Sequence, residues 1–196
     1  GFMLLAAVVE AAAGEPFDAF VARRVSGPMQ TAAVFAPTSA PPIAAAPTER
    51  DAWRGHVVRG HVHDENAFAM GGVAGHAGLF ATADGVSRYA ASLLAGGGPV
   101  LPRALVEAAT RPMGGVASGA RGLGFALLER SSWAGSDVPS GAFGHTGFTG
   151  TSIWCSPRHD VSVVLLSNRV HPNRENRRIT DARRRVHDAV IEWLDW

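Results

Sequence analysis

The chain has 196 residues, 46% of them apolar and 18% charged, which is a globular composition and excludes a disordered polymer. A net charge of +1 gives no global field to draw in nucleic acid or a membrane surface. The single cysteine, Cys155, excludes an intrachain disulfide and a cysteine-rich metal site, and its apolar neighbours predict a buried, inert thiol.

Gly1 to Ala13 reads as a first helix, with Leu4, Leu5, Val8, Val9 and Ala12 on one face, and is expected to lie in a core. The run is too short for a membrane span and lacks the basic leader of a signal peptide. Gly14 ends it and Pro16 opens a second helix with Phe17, Phe20, Val21 and Val25 as its apolar face. Residues 27–47, rich in Pro, Ala, Thr and Ser, predict an irregular excursion. A segment rich in histidine and glycine follows, from His56 to Phe80. Thr82 then caps a helix whose apolar stripe is Val86, Tyr89, Ala90, Leu93 and Leu94, with Asp84 near its positive end. Gly96-Gly97-Gly98 stops it, and Leu101-Pro102 starts another helix to about Thr110.

Beyond a glycine-rich turn from Gly114 to Gly122, Leu123, Phe125 and Leu127 alternate as in a strand. A surface loop is expected from Ser131 to Gly141. Ile153-Trp154-Cys155, a turn at Ser156 to Asp160, and Val161 to Leu166 read as a hairpin. Its first strand is expected to begin with the exposed triplet His145-Thr146-Gly147. A last helix is expected from about Asn176 to Trp196, with Ile179, Ala182, Val186, Val190 and Leu194 on its packed side and Trp193 and Trp196 against the sheet or against a part of the domain outside this chain. Its run of arginines, Arg174 to Arg185, is offset by Glu175, Asp181, Asp188 and Glu192 and reads as a solvated face rather than a nucleic-acid surface. Early helices, three antiparallel strands and a closing helix make a mixed α/β (α+β) domain.

Two patterns invite other chemistries. His61-Val62-His63-Asp64 suggests a metal pair, and a zinc-dependent hydrolase would need His61, His63 and His76 to converge; Glu65 and Asn66 stand where a metallo-hydrolase pattern wants Asp and His. The glycines from Gly71 to Gly78 do not space as a dinucleotide fingerprint and there is no Walker lysine, so a phosphate cradle is disfavoured.

The stretch Phe143-Gly144-His145-Thr146-Gly147-Phe148-Thr149-Gly150-Thr151-Ser152 resembles the Lys/His-Thr-Gly strand of the penicillin-recognising serine hydrolases, the family of serine β-lactamases, D-Ala-D-Ala carboxypeptidases and related esterases. Gly71 to Phe80 with Thr82-Ala83-Asp84 is similar to a second stretch of that family, and His63-Asp64-Glu65-Asn66-Ala67 looks like its esterase and carboxypeptidase branch. Gly27-Pro28-Met29-Gln30-Thr31 matches the family's Pro-Leu-Gly-Met segment only in part.

The resemblance implies a β-lactamase/transpeptidase-like fold: an antiparallel sheet flanked by helices, with an acyl-serine mechanism on a peptide, lactam or ester carbonyl and no cofactor. It implies roles for His145 as a donor or positive group, Thr146 as a hydrogen-bond partner of substrate, Gly147 as a gap in the cleft wall, and the Phe148 backbone N–H as an oxyanion donor. His76 and Asn66 would line the substrate cleft. The family also needs Ser-x-x-Lys and Tyr-x-Asn. All 18 basic residues here are arginine, and the only tyrosine, Tyr89, is followed by Ala90-Ala91. The whole chain, residues 1–196, is therefore expected to be the C-terminal portion of one such domain, its N-terminal part and nucleophile missing and its sheet exposed to aggregation. Alone it would be inactive, or else a non-catalytic binding module.

Overall fold

A computed structural model describes residues 1–113, 121–128, 134–136 and 138–195. Most of the expected glycine turn at Gly114 to Gly122, much of the loop at Ser131 to Gly141, and Trp196 lie outside them. The chain forms two compact units, Gly1–Gly85 with Val170–Glu175 and Val86–Arg169 with Asn176–Trp196.

The first unit starts with α1 (Phe2–Ala13), closed by Gly14 at φ 68° in the left-handed region that favours glycine. Its expected core face is exposed instead: Leu4 is 73% accessible and Val8 61%, and only Ala6 is buried. The reason is steric. The helix packs through its small residues, where a side chain on Gly75 would meet the Phe2 carbonyl at 2.2 Å and the Ala6 methyl at 3.0 Å. The helix α2 (Phe17–Val21) runs into a π-helical turn, Ala22–Ser26, and its four predicted apolar residues are half-buried. Three two-residue strands follow, β1 (Val34–Phe35), β2 (Arg50–Asp51) and β3 (His56–Val57). Next come α3 (Glu65–Ala69) and β4 (Leu79–Phe80), with β1 paired to β4 and β2 to β3. The irregular excursion is pinned by β1 and by two backbone bonds, Thr38 N–H to the Gly71 carbonyl at 2.9 Å and Ile43 N–H to the Gly60 carbonyl at 3.2 Å.

The helix α4 (Ala83–Leu94) begins at the predicted cap, where Thr82 Oγ1 accepts the Gly85 N–H at 3.1 Å. In the second unit α4 is followed by α5 (Arg103–Ala109) and the strands β5 (Ala126–Leu127), β6 (Phe143–Thr146), β7 (Ser152–Ser156) and β8 (Val161–Leu165). They form one antiparallel sheet in the order β5-β6-β7-β8. The last helix is α6 (Ile179–Trp193). Side chains alternate along β7, and each face has its own core. Cys155 and Phe143 pack with Ala90, Leu93 and Val106 of α4 and α5. Trp154 faces the other way, with Ala126, Ala142 and Ile191 of α6. Helices, sheet and helix make three layers.

The packed side of α6 is not the predicted one. Arg183, His187 and Ile191 are buried, at i, i+4 and i+8, while Val186 is 37% exposed and Ala182 lies open. His187 stacks on Trp154 with centroids 5.9 Å apart, and burial lowers its pKa. Trp193, expected either on the sheet or on a part of the domain outside this chain, is 82% exposed and does not pack on the sheet. The arginine run is not uniformly solvated either, because Arg183 is buried.

Cys155 is 1% exposed, and burial pushes its thiol up to about 12. At pH 8 an aromatic disulfide reagent should label it only as fast as the sheet opens, and one equivalent should react at once in denaturant. Immediate native labelling would contradict the buried position.

Candidate functional site

The candidate triplet sits where β6 ends. Thr146 pairs with Ser152 and His145 with Ile153, so the triplet closes its own strand instead of opening the next one, as the sequence predicts. The turn is tight: Gly147 N–H donates to the Thr151 carbonyl at 2.8 Å, and Gly150 N–H to the Gly147 carbonyl at 3.2 Å. Two glycines are required here. A Cβ at Gly147 would stand 2.2 Å from Thr151 Oγ1. Gly150 has φ 117°, and a side chain there would press on Ser167 and the Arg169 N–H.

On its other side β6 pairs with β5 only at Gly144 and Phe143. Among the described residues His145 and Thr146 thus extend past β5 along an open edge, which lets a ligand approach. His145 Nδ1–H donates to the Thr146 carbonyl at 2.8 Å, and Nε2 faces Arg121 Nη1 at 3.3 Å. A carbonyl only accepts and a guanidinium only donates, so both contacts suit a neutral ring with its proton on Nδ1. The fixed positive charge at this edge therefore belongs to Arg121. Sequence reasoning missed this residue, because nothing in the glycine-rich run before Leu123 marks one arginine out.

Two further arginines hold the turn. Arg183 Nη2 donates to the Gly147 carbonyl at 2.8 Å and to the Thr151 carbonyl at 2.7 Å. Arg169 Nε donates to the Phe148 carbonyl at 2.8 Å, and its guanidinium lies 4.1 Å from the Phe148 ring centroid. Phe148 itself is 58% exposed. Beside the turn lies a cavity of about 300 Å³, lined by Thr146, Phe148, Arg169, Arg177, Thr180 and Arg183 among others. Burial, and then the nearby Arg169 charge, lower the Arg183 pKa, so the cavity carries crowded positive charge.

His76 and Asn66 belong to the first unit. His76 Nε2 is 2.9 Å from Asp64 Oδ1, and the same oxygen caps α3 by accepting the Ala67 N–H at 2.8 Å. Asn66 is exposed on α3. His63 is buried with Nε2 2.9 Å from Glu49 Oε2, and its carbonyl and that of Val62 accept from Arg54. The zinc arrangement of His61, His63 and His76 does not form: His63 and His76 each face a different carboxylate. Among the described residues no group of three or more His, Cys, Asp or Glu is placed to hold a metal. Likewise, no helix of the described residues is long and apolar enough to cross a membrane.

Comparison with known proteins agrees with the geometry. A family model described as Beta-lactamase matches residues 1–188. An Escherichia coli (strain K12) protein named "Putative D-alanyl-D-alanine carboxypeptidase" is 34% identical over 191 residues, 87% of this chain and 44% of that protein. An N-acetylmuramyl-L-alanine amidase of Bacillus subtilis (strain 168) is 29% identical, over 87% of this chain and 43% of its own length. The chain thus spans less than half the length of these curated relatives. Among solved structures, a beta-lactamase from Mycobacterium bovis superposes with a TM-score of 0.67 at 19% identity, covering 98% of this chain and 61% of that one. A simvastatin synthase variant from Aspergillus terreus gives a TM-score of 0.71 at 16% identity, covering 97% of this chain and 53% of that one. At these identities the structures speak for the fold, and the sequence match carries the family: the chain belongs to the beta-lactamase family of serine hydrolases.

Proposed function

We propose that this chain forms the substrate-binding wall of an acyl-serine hydrolase, with the nucleophile and its lysine supplied by another part of the same domain. The observation that carries this is the turn after His145-Thr146: an open strand edge, a glycine with no room for a side chain, and a Gly147–Phe148 peptide whose carbonyl accepts from Arg183. In the reaction a serine oxygen bonds to the substrate carbonyl carbon. The carbonyl oxygen gathers negative charge, and the Phe148 N–H is one of its donors. The leaving group departs with a proton, and water then hydrolyses the serine ester.

The arginine-lined cavity beside Thr146 supports a substrate with an anionic end. The names of the two curated relatives favour an amide or peptide carbonyl over an ester. The second reading, a binding module without turnover, would be favoured by a complete coding sequence without Ser-x-x-Lys.

The test uses the complete coding sequence that carries this chain. A fluorophosphonate probe should leave one adduct, located by mass spectrometry, on a serine followed three residues later by lysine. A complete gene product that takes up no probe, yet binds a D-Ala-D-Ala dipeptide, would sink the enzyme reading and leave the binding module.

A further inference from the structure

We infer that Arg183 is the positioning residue of the oxyanion donor: from the middle of α6 it fixes the plane of the Gly147–Phe148 peptide, and thereby the direction of the Phe148 N–H. The inference rests on the proposed role of that N–H and extends it to a residue that acts on it through the Gly147 carbonyl.

The argument starts from the peptide bond. A trans amide is planar, with its carbonyl and N–H on opposite sides. The Gly147 carbonyl is held by Arg183 Nη2 at 2.8 Å, on the α6 side of the turn. The N–H of the same peptide, which belongs to Phe148, must then point away from α6. Rotating it by half a turn would take the carbonyl off the guanidinium and put an N–H against a cation.

The same Nη2 also holds the Thr151 carbonyl at 2.7 Å, so both arms of the turn hang on one donor group. The Gly147 N–H to Thr151 carbonyl bond locks the preceding peptide, and Arg169 holds the following one through the Phe148 carbonyl. Three successive peptides are thus fixed, and the middle one is held by Arg183 at 2.8 Å together with the Gly150 N–H at 3.2 Å.

Arg183 is buried against the turn whose carbonyls it holds. Its side chain is carried inside at 7% exposure, on the stripe where a helix packing against a sheet normally places apolar residues. Burial lowers its pKa, so the site disfavours the charge it keeps, and charge-assisted bonds to two carbonyls offset that penalty. An apolar residue would pack more easily there but would take the charged donor from two carbonyls, leaving each with one backbone N–H.

The experiment has two arms. In this chain, the one-bond N–H residual dipolar coupling of Phe148 reads the direction of the donor. In Arg183→Leu that coupling should collapse toward zero or change sign, while those of Thr146 and Ile153 keep their values. Arg183→Lys, which keeps the charge and most of the stem, covers the case in which the leucine variant does not fold; its Phe148 coupling should change in the same sense. In the complete gene product with p-nitrophenyl butyrate, Arg183→Leu should lose about 100-fold in kcat with KM within about twofold. Millimolar guanidinium should restore part of kcat, which a general loss of packing would not allow. An unchanged Phe148 coupling in a folded variant overturns the role of Arg183. A wild-type gene product without turnover overturns the functional reading, and the coupling still decides for or against Arg183.

Discussion

Gly147→Val in the complete gene product is expected to lower kcat/KM for p-nitrophenyl butyrate by about 100-fold or more, with the protein still folded. Even the first atom of a side chain at 147 would stand 2.2 Å from Thr151 Oγ1, so the turn must open. The two groups that flank it cannot yield together, because Thr151 and Gly147 share the Arg183 donor and a backbone bond of 2.8 Å. The displaced element is the peptide that carries the Phe148 N–H. Shifting a catalytic group by about 1 Å costs on the order of 100-fold, and losing one oxyanion donor costs about as much or more. Gly147 has no positive φ, so the backbone conformation itself tolerates a side chain and the cost falls on the site. Gly150→Ala makes the contrast. There φ is 117° and the close neighbours are Ser167 and the Arg169 backbone, so that variant should lose stability first. Circular dichroism and steady-state kinetics on both variants separate the two. Near-wild-type turnover in Gly147→Val would remove this turn from the active site.

Local signals in the sequence were read well where local physics decides. Thr82 caps α4, Ala90 and Leu93 of its apolar stripe are buried, and the hairpin of β7 and β8 turns at Pro157 to Asp160 as composition predicts. The family and its fold were legible from the His145-Thr146-Gly147 setting. The errors fall where long-range partners decide. On α6 the apolar stripe at Ile179, Val186 and Val190 loses to one beginning at Arg183, because two backbone carbonyls distant in sequence need a charged donor and Trp154 offers a ring to His187. On α1 apolarity alone pointed to burial, yet Gly75 accepts only the alanine side. The β6 boundary was missed because Gly147 to Gly150 can continue a strand or turn, and only the Thr151 pairing selects the turn. Arg121, Arg169 and Arg183 were invisible as site residues among 18 arginines. What distinguishes them is which carbonyl or ring each one reaches.

The largest stability effect is expected at Arg174, in the first unit. Glu49 is 8% exposed, and it is held by Arg174 across 125 residues of chain: Nε lies 2.7 Å from Oε2, Nη2 2.6 Å from the same oxygen, and the Arg174 N–H 3.2 Å from Oε1. His63 Nε2 meets Oε2 at 2.9 Å, and Arg174 reaches Glu65 as well at 2.6 Å. The Arg174 bond, opposed by burial and aided by His63, brings the Glu49 carboxyl down to about 2 from an ordinary 4.5. Arg174→Leu leaves that carboxylate buried with only His63 and the residue-174 backbone N–H, and it should cost about 3 kcal/mol, the low end for a broken buried pair because Arg174 is itself half-exposed. The pH dependence follows from the sign of the shift. A carboxyl with a lower pKa folded than unfolded binds its proton more tightly in the unfolded chain. Its stabilising contribution is complete above about 4.5 and is lost as pH falls through about 2, amounting to about 3 kcal/mol across that window. Glu65, whose pKa Arg174 also lowers, acts in the same direction. Urea unfolding midpoints should therefore fall steeply from pH 5 to pH 3 in the wild type. They should fall less in Glu49→Gln, and less again in Arg174→Leu, where both carboxyls return toward their ordinary values. An acid profile unchanged in Arg174→Leu would show that this arginine does not hold Glu49, and the 170–175 segment would need another anchor in its unit.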